Sequence, residues 1–245
     1  MTIRRRDETE ARAGGFDAKL EEAFDWLAEN VRMVLAGLGV VLLMGAVAAG
    51  VYEFRSRRDE KAQFALAKVE VGFARAMGSA SQDFLISEPA NEEQALKGRQ
   101  EALGRFEAVV LEFRDSRAAE VASVRAAEME VGLERWSDAE QRLTQLSEKL
   151  GADDALRAVA LRLLGYAQEQ QGRFLEAGES YAAAAKVKGY PARGTLLIAA
   201  GASFARGGTN DRAMLAFQEA LSADPELAEQ QGIVERLAEL AEAGN

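Results

Sequence analysis

The side chains that could do chemistry in this 245-residue chain are few. Two adjacent carboxylate pairs, Glu92-Glu93 and Asp153-Asp154, have the composition of a general acid and base. Both fall where helices are expected to begin, and there a carboxylate complements the positive helix end and caps its free N–H groups. They read as caps rather than catalysts. Gly207-Gly208-Thr209-Asn210 is glycine-rich like a phosphate cradle, but no Lys-Ser or Lys-Thr follows and it joins helix to helix. It reads as a turn. Arg55, Arg57 and Arg58 could meet lipid head groups or simply anchor a helix at a membrane surface. Histidine and cysteine are absent, which removes the usual general base, the thiolate nucleophile, disulfides and the common zinc ligands. No catalytic, cofactor-binding or metal-binding residue is assigned, and the chain is not expected to be an enzyme.

The elements that must position any other kind of site are helices. Only three prolines occur, 48% of residues are hydrophobic, and little β-branched or aromatic alternation is present, so an all-α fold is expected. The formal charge of -10 argues against a nucleic-acid partner, which selects a basic face.

Met33 to Tyr52 (MVLAGLGVVLLMGAVAAGVY) is a run of twenty residues without a charge. At about 1.5 Å per residue such a helix spans roughly 30 Å, the hydrocarbon thickness of a bilayer. Ala46, Val47 and Ala48 have the small-x-small form of a signal-peptidase site. Against a cleaved signal stand the 32 preceding residues with their eight acids, so a retained span is expected. Lys and Arg in the two flanks nearly balance, and they leave its orientation open. In the preceding tail, Phe16, Leu20, Ala23, Phe24 and Leu27 form an apolar stripe suited to the membrane surface. Gly45 with Ala49, and Ala46 with Gly50, give small-xxx-small spacing on which spans can associate into a homo-oligomer.

Beyond the run the chain repeats itself. Leu164, Gly165, Gly172, Phe174, Ala177, Tyr181 and Ala184 recur at the same offsets as Ala200, Gly201, Gly208, Asn210, Ala213, Phe217 and Ala220, followed by Asp224 and Pro225. Upstream, Ala127, Ala139 and Leu143 form a weaker copy, and Ala102 with Phe106 a weaker one still. The pattern resembles the tetratricopeptide repeat, a helix-turn-helix unit with small residues where its helices cross. The resemblance implies an α-solenoid of about four helix pairs. The first helix of the first pair is expected over 57–77, a long loop over 78–91, and a single closing helix over 226–243. In that closing helix Leu227, Ile233, Val234, Leu237 and Leu240 should cover the last repeat. The expected organisation is a tail over 1–32, a transmembrane helix over 33–53, a repeat domain over 54–225 and a cap over 226–245.

By analogy with the repeat family, the concave face would present Val124, Glu128, Val131, Arg162, Tyr166, Glu169, Ile198, Ala202 and Arg206 to a bound polypeptide, with the apolar members equally open to being inter-repeat packing. The whole layout is similar to the bacterial YfgM-like family, ancillary subunits of the SecYEG translocon. That resemblance implies a single-pass inner-membrane protein with its repeats in the periplasm. Its partners would be the Sec translocon, periplasmic chaperones or exported polypeptides. The alternative is a scaffold that assembles a secretion, motility or division complex.

Overall fold

Between Glu92 and Ala223 the chain forms helices of 12 to 21 residues, and its own caps and turns end each one. A computed structural model describes residue 26, residues 30–78 and residues 91–243, without the side chains at 34–41 and 243. In chain order the helices are α1 (Val31–Ala76), α2 (Glu92–Glu112), α3 (Arg117–Gly132), α4 (Trp136–Lys149), α5 (Ala155–Gln170), α6 (Phe174–Ala185), α7 (Arg193–Arg206), α8 (Asn210–Ala223), α9 (Pro225–Gln230) and α10 (Ile233–Ala243). No strand occurs among the described residues. The expected loop lies mostly outside them, as does the apolar stripe of the N-terminal tail.

The chain divides into two compact units, Met1–Arg57 and Arg58–Asn245. In the first, α1 carries the described part of the uncharged run, with Leu42, Leu43, Met44, Val47, Val51 and Tyr52 all exposed. Gly45, Ala46, Ala49 and Gly50 are exposed with them, and a Cβ built at either glycine would meet nothing within 4 Å. Among the described residues no helix is long and apolar enough to cross a membrane. The described side chains of the uncharged run are those at 33 and at 42–52.

In the second unit, each helix from α2 to α8 packs on the next, across turns that reverse the chain. The four alanines expected at helix crossings, Ala102, Ala139, Ala177 and Ala213, are all buried, and so are their companions Phe106, Leu143, Tyr181 and Phe217. Glycine is required on the facing helices. A Cβ at Gly165 would lie 2.9 Å from the Tyr181 ring, and one at Gly201 would lie 2.5 Å from the Phe217 ring. The aromatics therefore sit directly on the glycines. Between repeats the same device recurs with the roles exchanged, as Gly178 of α6 receives Phe204 of α7.

The core forms two clusters that meet at α3. Ala118, Ala119, Ala122, Ala126 and Met129 pack with α2 and with Ala62, Leu66, Val69 and Phe73 of α1. Val124 and Ala127 pack with α4 to α8. A helix buried on opposite sides has little apolar asymmetry, which fits its run of small residues.

The turns follow the expected chemistry. Gly172 and Gly208 have φ of +74° and +72°, the left-handed conformation that ends α5 and α7. In the weaker upstream repeat that position is held by Glu134, at φ +58°. A side chain there costs about 1–2 kcal/mol, partly offset because glycine loses more entropy on folding. Glu134→Gly is accordingly expected to stabilise the domain by roughly 0.5–1 kcal/mol, read as a higher urea midpoint with unchanged slope.

The cap departs from expectation. It is two helices, because Gly232 at φ +64° breaks the chain between α9 and α10. Ile233 is then fully buried, with Leu237 and Leu240 packed behind it, while Val234 points outward at 54% exposure. Leu227 is half-buried on α9, which Asp224 caps by accepting from the Leu227 N–H.

Candidate peptide-binding surface

Polar contacts between residues 33 to 37 positions apart tie one repeat to the next, so the period seen in the apolar positions returns in the polar ones. Arg142 reaches Glu107, Arg173 reaches Glu140, Ser203 reaches Glu169, and Arg212 reaches Glu179. Arg117 grips Asp154 through both terminal nitrogens at 2.6 and 2.8 Å, while Asp154 also caps α5 by accepting from the Leu156 N–H at 2.8 Å. The Asp153-Asp154 pair is thus one cap and its neighbour. At α2 the cap is Asn91, with Glu92 and Glu93 in the first turn.

These pairs set a pH dependence. Arg117 holds the Asp154 carboxyl below its ordinary value, chiefly through the paired hydrogen bonds. Burial pushes Glu140 upward, but Arg173, Gln171 and Gln168 outweigh it and the net shift is also downward. A depressed folded value means that the stability is whole above the unfolded pKa, about 4 for these groups, and is lost as pH falls through the folded values. The melting temperature should therefore fall steeply below about pH 4. In Asp154→Asn that acid slope should be shallower, with lower stability at neutral pH, as a thermal melt series would record.

The nine residues expected on the concave face meet different fates. Val124 is core, 3% exposed, and Val131, Ile198 and Ala202 pack partly buried against the same cluster. The packing reading of the apolar members is the one the geometry favours. Glu128 is paired with Arg125 at 2.9 Å. Glu169 accepts from the Tyr181 hydroxyl at 3.0 Å and the Ser203 hydroxyl at 2.8 Å, with Arg206 at 3.5 Å. Burial, and then the Glu169 charge, push the Tyr181 phenol well above its ordinary value, so it stays a donor. Arg206 also lies over the Phe174 ring at 4.0 Å. Tyr166 is 39% exposed and meets Trp136 edge to face at 6.1 Å between centroids. Arg162 is exposed beside it in sequence register. Of the nine, only Arg162 and Tyr166 offer much uncommitted surface.

A sizeable opening of the second unit lies elsewhere. A groove of about 530 Å³ runs between α2 and α4, with α3 as its floor. Arg135 donates to Gln100 at 2.7 Å near one end, and Lys149 donates to the Arg114 carbonyl at 3.2 Å at the other. Both contacts link residues 35 apart, so α2 and α4 run side by side in the same direction. No family model and no curated protein matches this chain.

Arg142 crosses the groove at mid-length. Its Nε lies 2.9 Å from Glu130 Oε2, and its Nη2 lies 2.7 Å from Glu107 Oε1. Hydrogen bonds to Glu130 raise the Arg142 guanidinium above its ordinary value despite burial. Buried Leu103, Ala119 and Leu146 line the bottom, and exposed Gln100, Gln141 and Gln145 line the rims. Sequence reasoning missed this groove because its residues are long polar side chains at helix positions that look merely solvated. The signal available was the 35-residue spacing of Gln100 with Arg135 and of Arg114 with Lys149. Among the described residues no group of acids gathers as for a metal ion.

Proposed function

We propose that this protein is a membrane-anchored polypeptide-binding module. The observation that carries the reading is that α1 presents exposed apolar side chains from Leu42 to Phe54, before the helix enters the repeat domain. A run of apolar side chains that no described residue covers belongs in lipid or in an assembly. With the uncharged residues of 33–41 added from the sequence, the run reaches the twenty that a bilayer requires. The buried crossing alanines, facing glycines and left-handed turns of the helix pairs support the tetratricopeptide-like reading, and such an architecture is suited to binding polypeptide. The YfgM-like layout supports an ancillary role at the SecYEG translocon in a bacterial inner membrane, with the repeats in the periplasm meeting exported chains or chaperones.

Crosslinking of the full chain in native membranes, with photoreactive groups at Tyr166 and Gln141, tests this. Recovery of Sec components together with exported polypeptides is the expected result. One stoichiometric partner outside the Sec machinery would select the scaffold instead, and no protein partner at all would overturn both.

A further inference from the structure

We infer that copies of this chain associate head to tail, the outer side of α1 in one copy docking against the outer side of α10 in the next. The inference concerns the two ends of the second unit and stands apart from what the repeats bind.

Both ends leave apolar side chains uncovered. Beyond Arg58, α1 buries Ala62 and packs Leu66, Val69 and Phe73 into the core beside it. Phe64 follows Ala62 by two residues and Val71 follows Val69 by two, about 200° around the helix. They stand 73% and 56% exposed, with exposed Ala67 between them. At the other end Ile233, Leu237 and Leu240 pack inward, while Val234 and Ala238 are exposed. The terminal helices of a solenoid ordinarily turn a polar side outward, because no further repeat covers them. Here each end keeps an apolar strip.

Charge decides what covers the strips. Lys61, Lys68 and Arg75 follow one another at seven-residue steps beside Phe64 and Val71, all exposed, and no acid lies within ion-pair distance of them among the described residues. Three acids share this stretch of α1. Glu70 is taken by Arg125 at 3.1 Å, and Asp59, three residues before Ala62, falls on the inward side. Glu60 remains on the outer side, which therefore carries three cations and one acid. Arg58 turns to the Glu112 carbonyl, and Arg105 of α2, which reaches beside Gly72, is paired with Glu101 at 3.8 Å. The last two helices have the opposite balance. Glu235, Glu239 and Glu242 of α10 and Glu226 and Glu229 of α9 are exposed, against one cation, Arg236.

Spacing agrees with sign. Glu235 and Glu242 are seven residues apart, the same two turns, about 10.5 Å, that separate Lys61 from Lys68 and Lys68 from Arg75. Two glutamates can meet two cations while Val234 and Ala238 lie against Phe64, Ala67 and Val71. This match selects a second copy of the chain as the partner. Two basic sides would repel, as would two acidic ones, so the contact is heterologous and passes from copy to copy. With only eleven residues in α10 the interface falls below about 1,200 Å², so association is weak and depends on concentration.

The chain has no cysteine, so introduced thiols report without background. Purified full chain in mild detergent carries Ala67→Cys with Ala238→Cys, and a short flexible bismaleimide joins neighbouring copies at roughly 50 µM protein. The double variant should give a ladder of dimers, trimers and larger species. Either single variant should stay monomeric, and an equal mixture of the two should stop at dimers. Adding Lys61→Glu and Lys68→Glu to the double variant should reduce the ladder about tenfold, and adding Glu235→Lys and Glu242→Lys to that background should restore it, with helical content unchanged. Dimers from Ala67→Cys alone would place α1 against α1 and overturn the inference. So would a ladder that survives the lysine reversals, one that the glutamate reversals fail to restore, or no ladder from the double variant.

Discussion

Replacing Gly201 with valine is expected to destabilise the repeat domain by about 3 kcal/mol, a fall of roughly 6–12 °C in melting temperature. At an open helix position, adding a side chain to glycine gains about 0.5–1 kcal/mol, so the sign here is set by the neighbour. A Cβ would stand 2.5 Å from the Phe217 ring and 3.0 Å from the ring carbon at its root. That ring is 1% exposed and has nowhere to swing. Combining Gly201→Ala with Phe217→Leu should return most of the loss, because the space taken on α7 is vacated on α8. Gly104→Ala on α2, where the Cβ meets open space, should instead stabilise by about 0.5–1 kcal/mol. Opposite signs for two helical glycines in one thermal melt series would identify close packing, rather than propensity, as the cause.

Arg142→Ala should cost about 3–5 kcal/mol, because it strands a buried carboxylate. Glu130 is 3% exposed, and among the described residues its side chain receives its hydrogen bonds from Arg142. The loss measures the uncompensated charge, not the value of the pair. Glu130→Leu with Arg142→Met, which removes both charges and keeps the volume, should recover at least half of it. A double-mutant cycle in urea would show a coupling well above the 1 kcal/mol typical of exposed pairs. Additive losses would mean that the pair acts no more strongly than a surface ion pair.

How far the fold was legible depended on residue type. Positions where only a small residue fits announced themselves by their period, which is why Ala102, Ala139, Ala177, Ala213 and the turn glycines fell where expected. Glu134 hid its left-handed turn because the strain is small enough for a non-glycine to carry. The closing helix was misjudged because Leu227 and Ile233 to Leu240 share one helical periodicity, and Gly232 between them could be tolerated within a helix or end one. The contact surface was least legible. Val124 and Ile198 have the same types and spacing whether they line a face or join two repeats, and only the packing of α3 and α7 between their neighbours separates the two. The groove depends on how long polar side chains from three helices pair after folding, and one-dimensional patterning carries no record of that.

The central claim is a tether in the membrane with a binding domain beyond it. Protease access to the repeat domain in intact spheroplasts, followed by alkaline extraction of the membranes, tests it most directly. The account predicts that residues 92–243 are digested from outside while a fragment containing 33–52 stays in the membrane pellet. Protection of the repeats until lysis, or release of the intact chain by alkali, would contradict it.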